Sequence, residues 1–153
     1  VWPTTRSGKS IGPAYLIWKD AEKSNIKPEE WPFQITTIKA NYKSISELYP
    51  KILPNPKIPK WHVYNKGYRV FLKNCFPCHT MNKQGPGKFG PDLNFPHSPT
   101  EYWQKDMLAK YIRNPRSIRY WPQSKMPGFD DEEISEAELN FLLGYLKHMS
   151  KQR

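Results

Sequence analysis

The chain has 153 residues, enough for one domain of ordinary size or a small domain with a long appendage and too few for a two-domain enzyme. Leu, Ile, Val and Phe make up only about 20% of it and the net charge is +10, a composition at the edge of what collapses into a core, so the 14% of aromatic residues must carry much of the packing. No apolar run approaches the roughly 20 residues needed to cross a bilayer, so a soluble chain is expected, and a first residue of Val1 rather than Met fits removal of a secretory signal.

Residues 1–60 contain no cysteine or histidine and are rich in proline. Residues 14–18 and 33–38 read as short strands, separated by a charged connection over 19–30 that holds Pro28. Pro50, Pro54, Pro56 and Pro59 then predict a stiff, extended linker. Such an arm either packs over the rest of the chain and shields it from water or docks onto a larger partner. Gly8-Lys9-Ser10 has the ending of a phosphate-binding loop, but position 3 is proline where that loop requires glycine.

From residue 61 the pattern becomes helical. Tyr64, Gly67, Tyr68, Phe71, Leu72 and Cys75 recur at spacings of three and four, one face of a helix. That face leads into Cys75-Phe76-Pro77-Cys78-His79, the C-x-x-C-H pattern of covalent c-type haem attachment. One helical turn separates the two thiols, so each can add to one vinyl group of the same porphyrin while His79 points its imidazole at the iron. A thioredoxin-like redox pair would need a βαβ frame, which the surroundings lack. Tetrahedral zinc would need further Cys or His donors at short spacing, and the remaining histidines stand at 62, 97 and 148. A disulfide between the two would close almost no loop and add little stability. Residues 85–90 satisfy G-x-G-x-x-G, but they follow the cysteine motif rather than a strand and run into Pro91, which argues against nucleotide binding.

Residues 100–113 form the next helical stretch, with Trp103, Met107, Leu108, Tyr111 and Ile112 on its apolar side and Asn114-Pro115 as its stop. Ser124-Lys125-Met126-Pro127-Gly128-Phe129 is too rich in proline and glycine for a helix. Pro127 biases Met126 to an extended backbone and Gly128 permits a turn, so this thioether could project inward from a loop. Met126 could equally fill a gap in the core. Met107 and Met149 lie in helical patterns and read as core. Met81 is only two residues from His79, too near to reach the opposite face of a haem. His97, in the loop Phe95-Pro96-His97-Ser98-Pro99, could swing in instead, and His62 and His148 read as surface residues at helix ends. The last helix is expected to start at Asp130 as cap with Glu133 three residues on, Asp131 and Glu132 complementing the dipole, and to bury Ile134, Ala137, Leu142, Tyr145, Leu146 and Met149. Three helices and two irregular loops make the class mainly α, with a 61–153 helical domain and a 1–60 extension.

Over residues 61–151 the chain resembles the class I monohaem cytochromes c with His/Met ligation. Cys75, Cys78 and His79 match that family's haem motif. Gly90-Pro91-Asp92-Leu93 is similar to its Gly-Pro-x-Leu segment, which implies that the Pro91 carbonyl accepts a hydrogen bond from His79 and raises its basicity. Lys125-Met126-Pro127-Gly128-Phe129 is similar to the distal loop, which makes Met126 the expected sixth ligand. Gly67 and Phe71 match positions that meet an aromatic of the last helix, here Tyr145. The resemblance implies one covalent haem c with iron and a one-electron carrier, not an enzyme, working between periplasmic redox proteins. Buried porphyrin surface, a few hundred Å² at about 25 cal/mol per Å², would supplement the sparse core. A weak likeness of residues 12–18 and 31–34 to strands of sulfite-oxidase-type molybdopterin proteins raises the alternative of a cytochrome subunit docked by its arm onto a larger, molybdenum oxidoreductase, although no molybdenum-ligating cysteine remains. A haem enzyme with an open sixth site is the other alternative.

The charge is uneven. Residues 61–125 carry 11 basic and 3 acidic side chains, whereas residues 126–153 carry 3 and 6. The basic excess follows the segments expected around the haem and would steer a donor or acceptor with an acidic docking surface. No nucleic-acid-binding motif accompanies it, and the basic residues are dispersed.

Overall fold

The computed structural model describes residues 40–120 and 122–153, with the isolated positions 8, 19, 20 and 23. The strands expected at 14–18 and 33–38 lie outside the described residues. The chain divides into two compact units, Val1–Tyr42 and Lys43–Arg153, and every side chain singled out for haem chemistry lies in the second.

That second unit is helical, and among its residues the isolated β-bridge is Met81 to Gln84. It opens with α1 (Ile45–Leu48) under a Ser44/Glu47 capping box, followed by a 3-10 turn at Pro50–Ile52. The prolines here predict an extended run, and the turn is a correction. Pro50 stands at the first helical position, where its missing N–H costs nothing. The turn drives Ile52 into the core at 0% exposure. The Ile52 carbonyl accepts the buried Tyr145 hydroxyl at 2.6 Å, and the Asn55 N–H donates to His148 Nε2 at 3.1 Å. The apolar Ile52 between prolines was a stronger signal than the prolines themselves.

α2 (Val63–Asn74) starts at His62, whose Nδ1 accepts the Tyr64 N–H, and it buries Gly67, Val70 and Phe71. The expected helix over 100–113 is instead two, α3 (Pro99–Tyr102) and α4 (Lys105–Arg113). Trp103 breaks them with an extended backbone, and its ring stacks on Tyr111 at 5.1 Å. Asn114 caps α5 (Pro115–Ile118), again with proline first. The last helix, α6 (Glu136–Met149), begins five residues later than the sequence suggests, because Ser135 and Glu138 form the capping box. Asp130 still caps, but only a turn. Its Oδ1 accepts the N–H groups of Glu132 and Glu133, and its carbonyl accepts that of Ile134. Ile134 is buried from that turn, whereas Ala137 is exposed.

The core is the crossing of α2 on α6. A Cβ at Gly67 would collide with the Phe141 carbonyl and lie 2.7 Å from Tyr145 Cβ, so the two backbones approach as only glycine allows. Phe71 packs against Tyr145 at 5.3 Å and against Phe76 at 5.6 Å, which carries the core from the helix pair to the cysteine motif. No described helix is long and apolar enough to cross a membrane.

Two outcomes are expected. Tyr145→Phe leaves the Ile52 carbonyl without this donor and should cost about 1–3 kcal/mol in urea unfolding of the holoprotein. His148 accepts a hydrogen bond and stacks on Tyr64, and burial, then His62 and Lys151, hold its pKa below the ordinary 6.5. The unfolded chain therefore takes up this proton first. The ring's contribution to stability is complete above about pH 6.5 and drains as the pH falls below it. Urea midpoints should drop through that range, and His148→Gln should flatten the drop.

Candidate haem site

Cys75 is the C-cap of α2, its N–H bonded to the Phe71 carbonyl at 2.9 Å. The chain then makes one more turn, with the N–H groups of Cys78 and His79 both donating to the Cys75 carbonyl at 3.1 and 2.8 Å. Both thiols are free. Burial, and then the neighbouring Cys78, push the Cys75 thiol up to about 12, the opposite of the lowered value a redox-active pair uses.

His79 Nδ1 lies 2.7 Å from the Pro91 carbonyl oxygen. A carbonyl only accepts, so Nδ1 carries the proton and Nε2 keeps its lone pair. Burial lowers the pKa of His79 against the raising influence of Pro91 and Asp92, which favours the neutral ring a metal requires. The glycines at 87 and 90 serve this packing. A Cβ on Gly90 would strike the His79 ring, and one on Gly87 would sit 2.5 Å from the His79 nitrogen. The Phe89 and Gly90 N–H groups donate to the Cys78 carbonyl at 3.2 and 2.9 Å, fastening the loop back on the motif.

Asp92, which the sequence showed only as part of a motif, organises both sides of this arrangement. Its carboxylate accepts from the Thr80 hydroxyl at 2.8 Å, from the Lys83 N–H at 2.7 Å, and from the N–H groups of Asn94 and Phe95 at 2.8 and 2.7 Å. Burial alone would raise its pKa, but these four hydrogen bonds hold it below the ordinary carboxylate value. Buried Asn94 donates to the Met149 carbonyl and to Asn82 Oδ1, both at 2.7 Å, tying the loop to the end of α6. The available signal was local: an Asp two residues before an Asn is an Asx-turn pattern.

Met126 comes from the other loop. It is half-buried and packs against the core cluster. The two loops meet where Lys125 Nζ stands 5.2 Å from the ring centre of Phe89, next to Gly90 and Pro91. The structure thus ties Cys75, Cys78, His79 and Pro91 together by hydrogen bonds and brings the Met126 segment alongside them through its neighbour. Met81 and Met149 are fully buried in the core, Met107 is half-buried on α4, and His97 is exposed. His62 and His148 do lie at helix ends, but both are half-buried, and they flank Tyr64 at ring distances of 4.4 and 4.5 Å. Among the described residues no group of three or more His, Cys, Asp or Glu is placed to hold a metal ion.

The residues fit a covalently bound haem c. Two unpaired thiols stand one turn apart, a neutral imidazole has one nitrogen fixed and the other free, and the glycines beneath it have no room for a side chain.

A family model described as cytochrome c matches residues 64–150. The chain is also similar to cytochrome c of Gibberella zeae, 30% identical over 103 residues that cover 56% of this chain and 93% of that protein. Cytochrome c of Guizotia abyssinica is 28% identical over 100 residues, 53% of this chain and 85% of its own length. That of Ulva intestinalis is 31% identical over 78 residues, 40% and 68%.

Asp92→Ala strips four donors of their acceptor, the Thr80 hydroxyl and the Lys83, Asn94 and Phe95 amides. The variant should lose at least about 2 kcal/mol of stability in urea, and its Lys83, Asn94 and Phe95 amides should lose hydrogen-exchange protection while those of α4 keep theirs.

Proposed function

Because the chain belongs to the cytochrome c family, we propose that it is a one-electron carrier in which Cys75 and Cys78 hold the haem, His79 and Met126 ligate its iron, and Pro91 orients His79. The cofactor is haem c with iron, and it supplies the one-electron change between ferric and ferrous states. The observation that carries the assignment of residues is the 2.7 Å contact of His79 Nδ1 with the Pro91 carbonyl. It fixes the tautomer, points Nε2 away from the loop and raises the basicity of the ring. The Lys125–Phe89 contact supports Met126 as the second ligand, since it holds the Met126 segment beside the Pro91 loop. A thioether there favours the ferrous state and a high potential.

Electron transfer needs the fold to change little between the two states, and the residues around His79 serve that end. The Phe89 and Gly90 amides are bonded to Cys78, that of Leu93 to Thr80, and those of Lys83, Asn94 and Phe95 to Asp92, so the loop that holds the ring is fastened at several points. The partners in this reading are redox proteins with acidic docking surfaces. Its support is the basic excess over residues 61–125 and two exposed aromatic rings, Phe89 and Phe95, each overlaid by a lysine. Residues 43–153 are the cytochrome domain in this reading, since the turn at Pro50–Ile52 packs in its core, and residues 1–42 are an appended arm that contacts a partner. The protein in this reading works in the periplasm, a compartment that suits covalent haem attachment to the Cys75-Phe76-Pro77-Cys78-His79 motif.

The test uses protein matured in a host able to attach haem. Intact mass should equal the polypeptide plus one haem, the ferric spectrum should carry the weak red band of methionine on iron, and the ferrous protein should not bind carbon monoxide. Met126→Ala should abolish the band and admit carbon monoxide. A bare polypeptide mass, or ready carbon monoxide binding by the unaltered protein, would contradict the reading.

A further inference from the structure

The segment that follows Met126 is wrapped around one guanidinium. Arg113, the last residue of α4, has a side chain only 21% exposed. Its Nη1 donates to the carbonyl oxygens of Phe129 at 3.1 Å and Asp130 at 2.9 Å, and also to that of Ile134. Its Nη2 meets the carboxylates of Asp131 at 2.8 Å and Glu136 at 3.1 Å. The backbone of the same turn closes on the same stretch. The Phe129 N–H donates to the Ile112 carbonyl at 3.2 Å, and a Cβ on Gly128 would collide with the Arg113 carbonyl. One side chain therefore gathers three carbonyls and two carboxylates into a fixed turn two residues after Pro127. A planar fork of donors can do this, and a single ammonium cannot.

The other side of the Met126 segment has a weaker hold. Lys125 is exposed, and the Phe89 ring it overlies is 71% exposed, so that contact is a solvated cation–π pair. The segment is thus anchored firmly downstream of Met126 and lightly at its own position.

Resting on the reading of Met126 as the sixth ligand, we infer that Arg113 is a positioning residue that keeps the Met126 sulfur on the iron and so sets how readily an outside ligand displaces it. The displacement exchanges one iron–sulfur bond for one iron–nitrogen bond without change of oxidation state, and its cost includes lifting the loop from the Arg113 turn. Removing the guanidinium lowers that cost. It also leaves the Asp131 and Glu136 carboxylates without this cation, which weakens the hold on the turn further.

The probe is imidazole, titrated into the ferric holoprotein and followed by loss of the red methionine band. Arg113→Met should raise imidazole affinity about tenfold or more, the size that loss of charge-assisted hydrogen bonds predicts. Arg113→Lys should fall between it and the unaltered protein. The double variant Asp131→Asn, Glu136→Gln changes only exposed carboxylates, keeps the fold intact, and should raise the affinity about two- to fivefold. Tyr145→Phe, destabilised far from this turn, should leave it unchanged and so separates positioning from general loosening. An unaltered protein without the band overturns the ligand reading and this inference with it. A protein that has the band, but whose imidazole affinity is the same in Arg113→Met, or raised equally in Tyr145→Phe, overturns the role of Arg113 alone.

Discussion

The hydrogen bond between the His79 ring and the Pro91 carbonyl is the constraint around which the site is built. It decides which ring nitrogen carries the proton, and therefore which can serve a metal. It also explains two of the glycines in the loop between them. Gly87 and Gly90 stand where any Cβ would meet the Cys78–His79 backbone or the His79 ring itself. Proline at 91 gives up only an N–H that this arrangement does not use, since its carbonyl does the work. Asp92 then secures the loop by gathering Thr80, Lys83, Asn94 and Phe95, so the residue after the histidine and the residues after the proline share one acceptor.

A second anchoring point lies in the crossing of α2 and α6. Gly67 lets the helices touch, and Tyr145 fills the space beside it with a ring packed on Phe71 and a hydroxyl bound to Ile52. This draws the 3-10 turn at Pro50–Ile52 into the same core as the cysteine motif, through Phe71 and Phe76. The buried core is nonetheless mostly aliphatic, with nine Leu, Ile and Val residues to three rings, so the expectation that aromatic residues carry much of the packing holds only for the joint between Phe71, Phe76 and Tyr145. Cofactor and core share elements, because α2 ends at Cys75 and presents Phe71 one turn earlier.

The motif residues were legible because covalent and coordination chemistry fixes their spacing. Cys75, Cys78 and His79 allow few readings, and the helix before them follows from periodicity alone. The contact of Tyr145 with Gly67 and Phe71 was legible only through the family resemblance, since nothing local connects residues about 75 positions apart. Helix ends were less readable. Asp130 with Glu133 and Ser135 with Glu138 are both capping patterns, and only packing decides that the second starts α6 while the first closes a turn. The break at Trp103 came from a tertiary contact, its stacking on Tyr111, which propensity does not report. Arg113 could not be singled out, because a basic residue in the last turn of a helix is ordinarily a solvated partner of the dipole. The acidic run it binds begins 17 residues later. In the sequence the glycines at 85, 87 and 90 read only as a false nucleotide motif. Their purpose is visible only in the packing, where Gly85 lies against the Phe76 ring, Gly87 against the Cys78–His79 backbone and Gly90 against the His79 ring.

The account stands most directly on the state of the His79 ring. Proton–nitrogen correlation spectra of the reduced, diamagnetic holoprotein should show a slowly exchanging ring N–H at Nδ1 with a contact to Pro91, and no proton at Nε2. A proton at Nε2, or an Nδ1 proton that exchanges freely with water, would contradict it.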